Sequence, residues 1–109
     1  MLSKKQRIPR TLFAEILKSR KFKNSPHFTL RIEDGGERPR AAVSVSKKIS
    51  RSAVARNSTR RRVYSVIKNK ISDLRPGLYL LIAKPGAPDT KGSVLDKEIH
   101  ELLNSQFKE

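Results

Sequence analysis

The chain has 109 residues, a length that suits one compact domain. Its 25 lysines and arginines outnumber its 10 aspartates and glutamates, so the formal net charge is +15. Because such self-repulsion opposes a compact state, the composition predicts a polyanionic partner. Cysteine is absent, which excludes a disulfide framework and a thiolate metal site.

The first part of the chain predicts a basic arm, a short helix and two strands. Residues 1–8 are expected to form a flexible basic arm. A proline and an apolar stripe predict a helix over about 9–20, and alternation at 28–32 predicts a half-buried strand. The Asp-Gly-Gly sequence at 34–36 predicts a hairpin to a second strand at about 39–46.

The second part predicts a helix, a buried strand and a last helix. Ser50 or Ser52 caps the central helix, which is expected to end near Ser72. Residues 78–83 are almost wholly apolar, as in a strand that is covered on both faces. The sequence Ser-Val-Leu-Asp at 93–96 resembles a capping box that opens the last helix. The order α-β-β-α-β-α predicts a small α+β sandwich.

Residues 44–62 carry seven cations and no carboxylate. They lie where an apolar strand gives way to the central helix, and cations at a helix start oppose its dipole. Arg56 and Arg60 are also four residues apart, a like-charge spacing that destabilises an isolated helix. Residues that are unfavourable for the local structure often serve a function. The unfavourable cations at this helix start therefore predict a phosphate-binding surface.

The central helix changes character along its length. At 3.6 residues per turn, Val63, Ile67, Ile71 and Leu74 form one apolar stripe. Towards the start of the helix, the same stripe contains Arg56 and Arg60 instead of apolar side chains. We therefore expect the first turns to project beyond the core edge and the later turns to pack.

A specific family pattern covers this region. Residues 43–48 are Val-Ser-Val-Ser-Lys-Lys, residues 53–57 are Ala-Val-Ala-Arg-Asn, and two arginines follow at 60–61. This combination resembles the protein component of bacterial ribonuclease P. The resemblance covers nearly the whole chain, because the helix with Phe13 and the strand with Phe28 also fall in order.

The resemblance implies a fold and a function. The fold is a sheet of three to four strands with a left-handed β-α-β crossover, as in the second domain of ribosomal protein S5, within a single RNA-binding domain over 1–109. Such a protein is the accessory subunit of an endoribonuclease whose RNA subunit carries catalysis and removes the 5′ leader of precursor tRNA with Mg²⁺. By position, the RNA-subunit contacts are Arg51, Arg56, Asn57, Arg60, Arg61 and Arg62. The leader-binding cleft is expected to involve Phe13, Leu17, Arg31, Ser44, Ser46, Lys47 and Lys48.

Several positions depart from the family pattern. Ser58 stands where an arginine is expected after the asparagine, and Arg62 points elsewhere on the helix. Tyr64 lies near the position of a further cation. Arg31 and Leu17 each replace an aromatic residue, so leader stacking is expected to be weaker and more electrostatic.

Other functions make different demands. A ribosomal or ribosome-assembly protein is also small and basic, and it stays open as an alternative. A self-contained nuclease needs metal-binding carboxylates or a general base near the basic segment, which has none. His27 and His100 lack the spacing of metal ligands, so no catalytic or metal residue is predicted. The predicted partners are ribonuclease P RNA and precursor tRNA, with no membrane and no required protein partner, in the cytoplasm.

Overall fold

The computed structural model describes residues 2–105, apart from the side chain of Ser105, as one four-stranded sheet with helices on both faces. The strands are β1 Lys21–Asn24, β2 Phe28–Asp34, β3 Pro39–Ser44 and β4 Gly77–Ala83. The helices are α1 Phe13–Leu17, α2 Ala53–Lys68 and α3 Gly92–Ser105. This architecture confirms the α+β class. The predicted domain range also includes Met1 and residues 106–109, which lie outside the described residues.

The sheet has the order β1-β2-β4-β3, so the predicted hairpin between β2 and β3 is wrong. Gly35 and Gly36 do form a turn with positive φ, but the chain then leaves room for β4 between the two strands. β4 pairs antiparallel with β2 and parallel with β3. Most of its side chains are buried, as the apolar run predicted for a central strand.

The strand β1 was not predicted. It pairs antiparallel with β2, and Asn24 opposes Thr29 across the turn at Ser25 and Pro26. β1 carries lysines and an exposed phenylalanine without a clear apolar alternation, so its sequence resembles a linker. The chain must reverse into this strand after α1, and therefore the helix predicted over 9–20 ends at Leu17.

The larger core lies on the face of the sheet that α2 and α3 cover. The predicted stripe is confirmed, since Val63, Ile67, Ile71 and Leu74 are all buried in it. Ser52 caps α2 by accepting a hydrogen bond from the backbone N–H of Ala55 at 3.1 Å. The helix ends before Ser72, and a 3₁₀ turn carries the stripe onward.

A smaller core lies on the opposite face under α1. Ile16 of α1 packs there with Ile8, Ala42 and Leu80. The crossover from β3 through α2 to β4 joins adjacent parallel strands. The left-handed sense of that crossover stays a prediction from the resemblance.

The amino-terminal segment corrects the expected flexible arm. Leu2 and Ile8 are 4% and 6% exposed, and the N–H of Ile8 donates to the carbonyl of Ala41 at 3.2 Å. These contacts hold residues 2–8 against β3. The basic composition of the segment hid the two apolar side chains that dock it.

Glu98 of α3 ties the turn between β1 and β2 to the helix layer. Its Oε2 accepts hydrogen bonds from the Ser25 hydroxyl and from the His27 N–H at 2.7 Å, while Oε1 lies 2.7 Å from His27 Nδ1. Burial alone would raise the pKa of Glu98, but these bonds outweigh it and hold the pKa below 4.5, its ordinary value.

Because the folded-state pKa is lowered, the ionised carboxylate stabilises the fold above about pH 4.5, and that contribution is lost as the pH falls. We expect Glu98→Gln to lower the free energy of unfolding at pH 7 by about 1–3 kcal/mol, since a charged hydrogen-bond acceptor is removed. The variant should also show a weaker acid dependence between about pH 5 and 3. Urea unfolding followed by circular dichroism at several pH values measures both. Glu101→Gln, an exposed change on the same helix, is the control, and equal effects of the two changes would contradict the assignment.

Candidate nucleic-acid interface

The start of α2 presents its arginines in two different ways. Arg56 folds back, and its Nη1 donates to the carbonyls of Ser50 at 2.9 Å and Arg51 at 3.0 Å. This braces the loop that leads into the helix. Arg51 itself lies exposed in that loop.

Asn57 and Arg60 form a pair on the next part of the helix surface. Arg60 Nη2 donates to Asn57 Oδ1, which holds the guanidinium in one direction. Arg61 is exposed beside them. The structure therefore brings together four of the predicted RNA-contacting residues, Arg56, Asn57, Arg60 and Arg61, over two turns of one helix.

Arg62 has an internal role. Its Nη1 donates to the Ser58 hydroxyl at 2.8 Å, and its Nη2 donates to the carbonyl of Pro88 at 2.7 Å. The side chain thereby joins α2 to the 3₁₀ turn Ala87–Asp89. Ser58, which stands where the family pattern has an arginine, thus helps to fix the position of Arg62.

Acidic neighbours do not neutralise this helix start. Within residues 2–105, no carboxylate oxygen lies within 4.0 Å of the side-chain nitrogens of the five arginines at 51, 56, 60, 61 and 62. The unfavourable like charges therefore have no internal compensation there. A surface built in this way gains stability when an external anion binds it.

The cleft predicted from the resemblance falls on the α1 face of the sheet. Its floor is the row formed by Thr29, Ile82 and Ser44, which pair across β2, β4 and β3 and are all half-buried. Phe13 and Leu17, which are predicted to border it, lie at the two ends of α1. Phe13 packs partly on the smaller core, whereas Leu17 is 49% exposed.

The predicted serine–lysine segment follows the floor. The carbonyl of Ser46 accepts hydrogen bonds from the N–H groups of Ile49 and Ser50 at 3.1 and 3.2 Å, which closes a turn directly after β3. Lys47 and Lys48 are exposed in this turn. The turn therefore places two cations between the cleft floor and the start of α2.

Arg31 borders the cleft from β2. It opposes Leu80 on β4 and Phe22 on β1, and its Nη1 donates to the carbonyl of Ser19 at 2.8 Å. Its guanidinium carbon lies 5.5 Å from the centre of the Phe22 ring. Phe22 was missed because its strand was missed, although a lone phenylalanine among lysines is the signal that could have indicated it.

The docked amino-terminal segment adds a second basic surface that was also missed. Lys4, Arg7 and Arg10 line a groove of about 510 Å³ beside Phe13 and Tyr64. Tyr64 is buried here, and its hydroxyl accepts a hydrogen bond from the N–H of Val43 at 3.1 Å. The tyrosine that replaces a family cation thus closes the edge of β3.

Acidic residues gather at the other end of the α1 face. A cavity of about 380 Å³ is lined by four of the ten acids, Glu15, Glu33, Asp34 and Glu37, together with two arginines. Burial and a hydrogen bond with Glu15 raise the pKa of Glu33. Lys21 Nζ also lies 2.9 Å from Asp34 Oδ2, so this end of the face mixes carboxylates with cations, whereas Lys47 and Lys48 at the other end have no acidic neighbour in the sequence.

The described residues bring no three histidine, cysteine, aspartate or glutamate side chains together in a geometry that could hold a metal ion. None of the helices within residues 2–105 is long and apolar enough to cross a membrane.

The fold and this surface define a class, a small basic α+β protein with uncompensated arginines along one helix. The family model described as Ribonuclease P matches residues 2–106. The chain belongs to the ribonuclease P protein family.

Relatives and solved structures agree with this membership. The ribonuclease P protein component of Aliivibrio fischeri is 36% identical over 83 residues, which cover 72% of this chain and 71% of that protein. That of Beutenbergia cavernae is 33% identical over 73 residues, 66% of this chain, and the match spans only 60% of the relative's length. The fold is that of the Staphylococcus aureus RNase P protein, with a TM-score of 0.82, 23% identity, and coverage of 93% of this chain and 94% of that one. The Thermotoga maritima RNase P protein has a TM-score of 0.78 at 19% identity, over 91% of this chain and 96% of that one.

The two neighbouring arginines of α2 should respond differently to truncation. Arg62→Ala removes charged hydrogen bonds to Ser58 and Pro88, so we expect the free energy of unfolding to fall by about 1–3 kcal/mol. Arg61→Ala, on the exposed surface, should change it by less than about 0.5 kcal/mol. Urea unfolding of both variants tests this difference, and equal decreases would show that Arg62 is not a structural link.

Proposed function

We propose that this chain is the protein subunit of ribonuclease P, which binds the catalytic RNA and the 5′ leader of precursor tRNA and so promotes maturation of the tRNA 5′ end. One observation supports it above the others. In a member of this family, an uncompensated arginine surface on α2 is joined by a two-lysine turn to a half-buried row of the sheet, Thr29, Ile82 and Ser44.

The α2 surface is proposed to bind the RNA subunit. Arg60, Arg61 and the exposed edge of Arg56 neutralise phosphates, while Asn57 orients Arg60 and presents its amide to the RNA. Arg51 extends the surface into the preceding loop. Arg62 contributes by holding α2 in place rather than by touching the RNA.

The cleft is proposed to bind the single-stranded leader. Ser44 and Thr29 offer hydroxyl groups along its floor, and Phe13 and Leu17 offer apolar contact at its border. Lys47 and Lys48, with Ser46 in the same turn, attract the leader backbone towards the α2 surface. Since the cleft and α2 adjoin through this turn, one protein can hold the substrate and the RNA subunit together.

Hydrolysis is proposed to belong to the RNA subunit. The basic surface carries no carboxylate or histidine placed as a general base among the described residues, so the contribution of the protein is positioning and charge neutralisation. Mg²⁺ in this proposal is bound by the RNA subunit and its complex with the substrate. The complex acts in the cytoplasm and needs no further protein.

Reconstitution tests the function directly. The protein is mixed with ribonuclease P RNA from its own organism and precursor tRNA at low Mg²⁺, and 5′ cleavage is measured with and without it. We expect the protein to stimulate cleavage and to be inactive without the RNA. A failure to stimulate at any protein concentration would overturn the proposal, and cleavage by the protein alone would identify a nuclease. Sequencing of RNA that copurifies from cells separates this function from ribosome assembly, which would yield ribosomal RNA.

Salt dependence tests the α2 surface. Because each neutralised phosphate releases counterions, the log–log slope of affinity against salt concentration should become shallower by about 0.7–0.9 for each phosphate that is no longer neutralised. We expect Arg60→Gln and Arg61→Gln each to reduce the slope for ribonuclease P RNA by this amount. Lys97→Gln, an equal charge change on the exposed side of α3, is the control. Filter binding measures the slopes, and a reduction as large in the control would assign binding to net charge alone.

A further inference from the structure

Phe22 is an exposed aromatic side chain on the α1 face of the sheet. It opposes Arg31 in the β1–β2 register, and Arg31 in turn opposes Leu80, whose side chain lies in the smaller core under α1. The ring is 50% exposed. Leu17, another exposed large apolar side chain on this face, is at the end of α1.

Arg31 is held in place against this ring. Its Nη1 donates to the Ser19 carbonyl at 2.8 Å, and its Nε is buried without a hydrogen-bond partner among the described residues. A buried donor without a partner lowers the stability of the fold. The other contacts of the guanidinium must therefore be strong enough to keep it in this position. The distance of 5.5 Å to the centre of the Phe22 ring is in the range of a cation–π interaction.

The pair adjoins the cleft floor. Phe22 and Arg31 lie in the row of residues next to the row of Thr29, Ile82 and Ser44. Residues two apart on one face of a strand are separated by about 6.8 Å. A nucleotide whose phosphate follows the floor therefore has its base within reach of Phe22.

We propose that Phe22 and Arg31 form a platform on which one unpaired base of single-stranded RNA stacks. Bases stack on aromatic rings and on arginine planes, and a ring held by a fixed cation presents a flat surface with positive charge beside it. The platform supplies the aromatic contact that the family pattern expects at positions 31 and 17, where this chain has Arg31 and Leu17. This inference rests on the proposed function, since the single strand is the leader of precursor tRNA.

The test measures the affinity of the reconstituted complex, protein with ribonuclease P RNA, for precursor tRNAs that carry an abasic nucleotide at successive leader positions. Phe22→Leu keeps an apolar side chain but removes the stacking surface. We expect it to weaken binding of the intact precursor about fivefold to tenfold and to leave leaderless tRNA unaffected. At one leader position, removal of the base should weaken binding to the wild-type complex and have no further effect with Phe22→Leu.

Two further variants complete the test. Arg31→Lys keeps the charge but lacks the planar group, and it should reproduce part of the decrease in affinity. Val94→Ala, a truncation of an exposed apolar side chain on α3, should have no effect. Circular dichroism confirms that each variant is folded.

An independent signal comes from Phe22→Trp, because the chain has no tryptophan. Its fluorescence should be quenched by the intact leader and not by the leader that is abasic at the sensitive position. The same abasic profile with wild type and Phe22→Leu, or a Trp signal indifferent to the base, would overturn the platform. If the Phe22 variants fail these tests of the platform but still stimulate cleavage normally, the platform is overturned and the proposed function stands. If the wild-type protein does not stimulate cleavage, the proposed function itself is overturned.

Discussion

The arrangement of the whole molecule depends on the burial of β4. Its apolar side chains need cover on both faces, so the strand takes the centre of the sheet and separates β2 from β3. Because β4 runs parallel to β3, the chain must cross over between them, and α2 is that crossover. The crossover starts where β3 ends. This is why the serines and lysines after β3 lead directly into the arginines of α2.

The distribution of charge follows from that geometry. The α1 face has carboxylates beside the Gly35–Gly36 turn and cations at its opposite end. An anionic chain on this face would be attracted more strongly at the lysine end, which favours one placement over its reverse. The pairing of Asn57 with Arg60 and the backbone hydrogen bonds of Arg56 hold these groups before any ligand arrives, so the entropic cost of ordering them on binding is smaller.

Sequence patterns predicted the elements better than their pairing. The stripe from Val63 to Leu74 and the apolar run of β4 repeat with the period of their structures, so both were found. The wrong hairpin shows that a turn sequence indicates a reversal of the chain but not the strand that will pair. The structural link made by Arg62 was not predicted, because its acceptor on Pro88 is 26 residues away in the sequence. Residues 2–8 were misassigned because two buried apolar side chains are a weak signal among cations.

The outer edge of β3 is partly covered by hydrogen bonds from the rest of the fold. An exposed strand edge is a template for pairing with other chains. Here the N–H of Val43 donates a hydrogen bond to the Tyr64 hydroxyl, and the carbonyl of Ala41 accepts one from the N–H of Ile8. The opposite edge, β1, is only four residues long and carries two lysines. Both edges of the sheet are therefore poor templates for pairing with a strand of another chain.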